Sequence, residues 1–267
     1  FIVSTVSVDG MSTLGVHDSV TRRYNADGSV DVSFGTNGKA TTSVVPGGYS
    51  ISRRSIPIAD SKIIAVGNSG ISDFTLLQYT SNGTLDTNFN QDGIATEKIE
   101  SSNDNGRILL KQDDGKLLLI GTKRNNPNNV TGLSDLALAR YHADGTLDFT
   151  FGTEGKSEFV FDQLIYTPKK AALQPDGKII IANEVTIFGV SSSQEMIRVT
   201  ENGLLDMTFG VQGKIVVSTT FFTPAMALEV LDDGSFIIVN HNINPGGNPD
   251  NLYLIVRKFL SNGTLDI

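Results

Sequence analysis

The chain has 267 residues, enough for one large all-β domain or two smaller ones, and 39% hydrophobic residues describe an ordinary globular protein, not a disordered one. Lys and Arg total 21 against 29 Asp and Glu, a net charge of −8 that opposes binding to phosphate backbones and argues against nucleic acid as a partner. There is no cysteine, which excludes disulfides, thiolate metal sites and Cys nucleophiles, and no apolar run approaches the ~18 residues of a membrane span, so no membrane insertion is expected.

In chain order, Phe1 to Val8 reads as the second strand of a unit whose first strand is missing. From Tyr24 a phrase begins, YNADGSVDVSFGTNGK, that returns as YTSNGTLDTNFNQDGI from Tyr79, YHADGTLDFTFGTEGK from Tyr141, VTENGLLDMTFGVQGK from Val199 and FLSNGTLDI from Phe259. Its glycines Gly28, Gly83, Gly145, Gly203 and Gly263 are spaced 55, 62, 58 and 60 residues apart, the mark of a tandem repeat. A second phrase interleaves with the first: IADSKIIAVGN around Ser61, QDDGKLLLIGT around Gly115, LQPDGKIIIAN around Gly177 and VLDDGSFIIVN around Gly234. An Asp-Gly pair between apolar runs supplies the positive φ of a tight hairpin turn, and Ser61, which replaces the glycine once, is expected to alter that turn.

Each unit divides into four strand-like runs, in the fullest copy Lys169 to Gln174, Lys178 to Asn183, Gln194 to Thr200 and Lys214 to Thr219. Four short strands per repeat predict an all-β fold, a β-propeller of four-stranded blades. The expected organisation is one repeat domain over 1–267, with a partial blade 1–50, blades at about 51–100, 101–162 and 163–220, and a partial blade 221–267. A closed ring takes about 4 to 8 blades, so the chain reads as a fragment of a larger ring and a larger parent chain or surface complex is expected.

The repeated Asp31, Asp86, Asp148, Asp206 and Asp266 come three residues before Phe34, Phe89, Phe151 and Phe209 in the four copies that continue. A carboxylate there can accept hydrogen bonds from N–H groups two or three residues ahead, closing a turn that aims the Phe into the core. The calcium alternative fits poorly. Arg23 stands at the first ligand position, no Glu occupies the twelfth, and the turn aspartate becomes Asn82, Asn202 and Asn262. His17, His142 and His241 have no metal-ligand spacing, and no G-x-S-x-G elbow is present, so no catalytic residue, metal or cofactor is assigned.

Two insertions depart most from the repeat, Lys123 to Leu133 and His241 to Asn251. Both follow the second strand of a unit and are expected to reach one rim, where their amides and charges can contact a protein or glycan. The candidate binding residues are Lys123, Arg124, Asn125, Asn128, Asn129, His241, Asn242, Asn244, Asn248 and Asp250. The alternative is a propeller enzyme acting on glycans at the central channel, whose strands offer Arg53, Arg54, Lys111, Lys169, Lys170 and Glu229, a mixed set without an evident acid pair. Glu184, Glu195 and Glu229 are the acids that break the repeat pattern.

The runs LQPDGKIIIA at Leu173 to Ala182, LARYHADGTLD at Leu138 to Asp148 and FGTEGK at Phe151 to Lys156 closely resemble the bacterial delta-60 repeat. The resemblance covers essentially the whole chain. It implies a propeller-like array in a secreted or cell-surface bacterial protein, with no assigned catalytic activity, and so bears on location and architecture more than on function. The residues themselves, whose repeated positions all have turn or core roles, lead to the expectation of a non-catalytic interaction or scaffold module without cofactor. The sequence departs from the pattern at Ser61, at Asn90 where other copies have Gly, and at Val199-Thr200, where local distortion is expected.

Overall fold

A computed structural model describes residues 2–7, 18–46, 48–70, 73–99, 104–124, 134–161, 164–187, 191–218, 225–242 and 253–267. Among them there are eighteen strands, one 3-10 turn and no α-helix. The chain forms two compact units, Phe1–Lys123 with Ala139–Asp148, and Arg124–Leu138 with Phe149–Ile267.

In the first unit, β1 (Ile2–Ser7), β2 (Ser19–Tyr24) and β3 (Lys39–Thr42) form one antiparallel sheet in sequence order. Next come β4 (Ser50–Pro57), β5 (Ile63–Ser69), β6 (Asp73–Tyr79) and β7 (Ile94–Glu97), a four-stranded antiparallel meander. The hairpin of β8 (Asn105–Lys111) and β9 (Leu117–Arg124) follows, and the next strand, β10 (Ser134–Tyr141), is divided between the units, with Ser134–Leu138 in the second and Ala139–Tyr141 in the first. In the second unit, β11 (Lys156–Phe159) precedes β12 (Leu164–Leu173), β13 (Ile179–Ile187), β14 (Ser191–Val199) and β15 (Lys214–Ser218), and these last four make another four-stranded meander. A parallel contact, Ser134 opposite Ile165, joins β10 to β12. The last sheet is β16 (Ala227–Val230), β17 (Phe236–Asn242) and β18 (Tyr253–Phe259).

The burial of the strands follows from their composition. Every residue of β5, IIAVGNS, is buried, as are all but the first of β6 and β10, because continuous apolar runs bury both faces of a sheet. The short fourth strands β7 and β11 instead mix buried and exposed positions, as sheet edges do. The Phe of the repeated phrase supplies the anchor: Phe34, Phe89, Phe151 and Phe209 are all fully buried. Around Phe34 gather Ile63, Ala65, Leu77 and Tyr79, and around Phe209 gather Ile180, Met196, Phe236 and Ile238.

Three strands of the fullest unit, β12, β13 and β14, begin earlier or run longer than their composition predicts. β12 starts at Leu164 and β13 extends to Ile187, with Leu164 opposite Ile187. The register shifts between Pro168 and Lys170, so a β-bulge accommodates a proline that has no N–H for the ladder and masks the strand in the sequence.

Ser61 does change its turn. In the regular copy Gly115 donates to the Gln112 carbonyl (2.9 Å), and the glycine takes the left-handed conformation at φ 87°. At the variant copy Lys62 donates to the Ala59 carbonyl (3.2 Å), and both central residues are left-handed, Asp60 at φ 58° and Ser61 at φ 55°. Without glycine the connection becomes a primed turn whose strain two side-chain-bearing residues share. Asn90 likewise adopts φ 46° where Gly35, Gly152 and Gly210 adopt 57°, 56° and 55°, since Asn tolerates that region better than most residues.

Candidate functional site

The repeated phrase builds a ladder of polar contacts. Asp31 accepts from the Ser33 N–H (3.1 Å), Asp86 from the Asn88 N–H (3.1 Å) and Asp206 from the Thr208 N–H (3.0 Å), which fixes the turn before each Phe. The second carboxylate oxygen turns to the strand eight residues earlier. Arg23 Nε donates to Asp31 (2.7 Å), Arg140 Nε to Asp148 (2.7 Å), Arg198 Nε to Asp206 (2.9 Å), and Gln78 takes the same place beside Asp86 (2.9 Å). The hairpin lysine arrives from the preceding turn: Lys62 lies 2.7 Å from Asp86, Lys116 3.2 Å from Asp148 and Lys178 3.6 Å from Asp206. Asp86, Asp148 and Asp206 each therefore tie three segments of the chain together.

Successive repeats are joined at the same level. Gly35 donates to the Asn82 carbonyl (2.8 Å), Asn90 to Asp144 (2.6 Å), Gly152 to Asn202 (2.8 Å) and Gly210 to Asn262 (3.1 Å). Arg23 also donates to the Ser81 carbonyl (2.5 Å), and Arg198 donates to the Ser261 carbonyl. Nearby, Asp27 accepts from both the N–H and the hydroxyl of Ser29, so the turn acids are engaged by their own turns.

These contacts depress the carboxyls. A hydrogen bond from Lys62 is the main reason that Asp86 titrates at about 2, with Gln78 and the Asn88 N–H adding to it against the opposing effect of burial. Asp31 is lowered chiefly by the Ser33 hydroxyl. Burial works against ionisation of Asp206, but the hydrogen bonds from Thr208 and the charges of Arg198 and Lys178 outweigh it.

The first strands of three successive repeats, β4, β8 and β12, carry a second repeated feature. β4 shifts register between Ser52 and Arg54, β8 between Gly106 and Ile108, and β12 between Pro168 and Lys170. The extra residue of each bulge is basic: Arg53, Arg107 and Lys169. Lys169 meets Glu184 at 2.7 Å, whereas Arg53 reaches Asn68 (3.4 Å) and Asn105 (3.1 Å). Glu195, another acid outside the repeat pattern, accepts from the Tyr166 hydroxyl (2.7 Å) and lies 3.5 Å from Lys214, and Glu229 is exposed on β16.

Of the residues expected to bind, Lys123 is buried within β9 of the first unit, because the strand continues through the start of the insertion. Arg124 ends that strand and is assigned to the second unit, as are His241 and Asn242, which form the end of β17. His241 is half-buried. Asn125, Asn128, Asn129, Asn244, Asn248 and Asp250 lie outside the described residues. The Arg–Asp pairs were missed in the sequence, although a constant spacing of eight residues, seen in 23/31, 140/148 and 198/206, would have revealed them. No helix among the described residues is long and apolar enough to cross a membrane.

Antiparallel meanders built from one repeated unit, four-stranded at β4–β7 and again at β12–β15, define a β-propeller repeat protein. The chain belongs to the family described as "Domain of unknown function (DUF5122) beta-propeller", whose model matches residues 8–34, 58–89, 112–151 and 174–209, together just over half of the chain. No curated protein matches this sequence. Among solved structures it is similar to an ulvan lyase of polysaccharide lyase family PL25, with 11% identity and a TM-score of 0.54 over 96% of this chain and 62% of the lyase. The same lyase has been solved bound to -[GlcA(1-4)Rha3S]-. A protein of unknown function from Dyadobacter fermentans is similar at 13% identity and a TM-score of 0.51, over 94% of this chain and 70% of that one. The chain thus spans less than two thirds of the lyase's length, and these likenesses bear on the fold.

Proposed function

We propose that the chain is a non-catalytic interaction module that binds a glycan through segments at the ends of its strands, with a protein as the alternative partner. The observation that carries this reading is the employment of the repeated charges. Arg23, Arg140 and Arg198, with their aspartates and the hairpin lysines, are committed to holding turns and strands together, so recognition falls to residues that the repeat does not share. The insertions Lys123 to Leu133 and His241 to Asn251 are the least repetitive stretches. In line with the delta-60 resemblance, the module belongs to a bacterial secreted or cell-surface protein. The lyase likeness supports a glycan as the partner class.

Affinity electrophoresis of the chain through gels containing a panel of polysaccharides tests this directly. Retardation by at least one polysaccharide, weakened when Lys123 to Leu133 and His241 to Asn251 are replaced by Gly-Ser segments of equal length, is the expected result. Unchanged retardation after both replacements would remove the insertions from the site. The similarity to a polysaccharide lyase favours a second reading, glycan cleavage. Release of unsaturated or reducing ends from a retained polysaccharide would establish that reading in place of the first.

A further inference from the structure

The bulged basic residues of the first unit differ from their counterpart in the second. Register places Asn68 and Thr122 at the position that Glu184 occupies in the second unit. Lys169 is neutralised there by a carboxylate, but Arg53 meets only amide oxygens, from Asn68 and Asn105, and Thr122 brings no charge to Arg107. Arg107 is half-buried, its Nε is buried without a hydrogen-bond partner, and neither it nor Arg53 has a carboxylate partner among the described residues.

The two arginines are brought together by the backbone. β4 and β8 lie against each other, and Arg53 donates across to Asn105, two residues from Arg107. Gly106 also lets β8 lie close to β5, the neighbour of β4: a Cβ at that position would lie 2.7 Å from the Gly67 carbonyl oxygen. Burial, and secondarily the charge of Arg53, lower the pKa of Arg107, yet a guanidinium stays charged at any physiological pH. Two like charges on strands that lie against each other, one of them partly desolvated, cost free energy unless an anion answers them. Paired guanidinium forks suit the oxygens of a carboxylate or sulfate, which accept parallel N–H donors.

We propose, building on the glycan-binding reading above, that Arg53 and Arg107 on the bulges of β4 and β8 form an oxyanion site that selects an acidic glycan through its uronate carboxylate or its sulfate ester. The site lies within the first unit and uses neither insertion. Lys169, held by Glu184, takes no part.

Isothermal titration of the full chain against four probes tests the assignment: a uronic-acid oligosaccharide, a sulfated oligosaccharide on a neutral backbone, a matched neutral oligosaccharide and a poly-glutamate peptide. The uronate or the sulfated probe should bind and the neutral one should not. Whichever of the two acidic probes binds identifies the oxyanion. Arg53→Gln and Arg107→Gln should each weaken that binding by about tenfold or more, while Lys169→Gln leaves it unchanged and thermal melting shows all three variants folded. If the neutral oligosaccharide binds as well as the acidic ones and the arginine variants do not matter, the oxyanion site is overturned and the glycan reading survives. If poly-glutamate alone binds, in an arginine-dependent way, the glycan assignment is overturned instead. Silence of all four probes overturns both.

Discussion

The guanidinium of Arg198 lies 4.7 Å above the ring of Phe209 while its Nε donates to Asp206, three residues before that ring. Arg23 stands in the same relation to Phe34, again at 4.7 Å and again bound to the intervening aspartate, Asp31. A cation over an aromatic face and a charge-assisted hydrogen bond thus hold the same turn from two directions. The side chains of Arg198 and Asp206 are 5% and 7% exposed, so removing one partner strands the other in a low-dielectric setting. Asp206→Ala is expected to cost about 3 kcal/mol in urea unfolding. Arg198→Lys, which keeps the charge but loses the planar fork, should cost about 1–2 kcal/mol. An Asp206→Ala chain as stable as the parent would show that the pair contributes nothing net.

The glycine of the repeated turn has two duties that substitution can separate. Gly145 has φ 86°, and a Cβ there would lie 2.9 Å from the ring of Phe89 in the preceding repeat. Gly28 has φ 85° but nothing within 4 Å of such a Cβ. Gly28→Ala therefore meets only the left-handed backbone penalty, about 1 kcal/mol, whereas Gly145→Ala adds overpacking against a buried ring, for about 2–4 kcal/mol in all. Chemical denaturation of the two variants side by side measures the difference. Equal losses would mean that the aromatic contact is soft.

Those glycines, the turn aspartates and the anchoring Phe were readable because their interactions are local. Asp206 captures the N–H of Thr208, two residues on, and any sequence containing the phrase shows it. The partners of the same aspartate were hidden by distance: Lys178 arrives from a hairpin 28 residues earlier, and the Ser261 carbonyl that receives Arg198 belongs to the next repeat. The bulges were hidden for another reason. An extra residue in a strand has no compositional mark, so Arg53 and Arg107 read as ordinary strand positions until register was known. Lys123 appeared to open a loop because Asn and Pro follow it, but the cross-strand ladder carries β9 to Arg124. Asn, Gly and Pro segments have no periodicity to read, which is why the ten candidate binding residues rested on position in the repeat alone.

The variant turn at Ser61 offers a gain in stability. Asp60 and Ser61 both occupy the left-handed region, which costs a residue with a Cβ about 1 kcal/mol or more, while glycine gives back part of that through a freer unfolded chain. Ser61→Gly restores the residue that the other copies carry and is expected to stabilise the chain by about 0.5 kcal/mol. A rise in the urea midpoint at an unchanged slope checks it. A fall would indicate that Ser61 makes a contact worth more than the strain it bears.

Acid should loosen the ladder from a defined carboxylate. Asp86 titrates at about 2 when folded because Lys62 donates to it at 2.7 Å, against an ordinary unfolded value of about 3.9. A depressed carboxyl contributes stability that is fully present above the unfolded value and is lost as pH falls through the folded one. The contribution of Asp86 should accordingly be intact at pH 7, decline below about pH 4, and be gone below about pH 2. Asp31 and Asp206, also lowered, lose theirs in the same direction. Asp86→Asn removes the charge but keeps the shape, so it should be less stable than the parent at pH 7, with the gap closing as pH approaches 2. Urea midpoints of both chains at pH 7, 4 and 2 measure that gap; a constant difference would mean that the Lys62–Asp86 pair does not govern the acid limb.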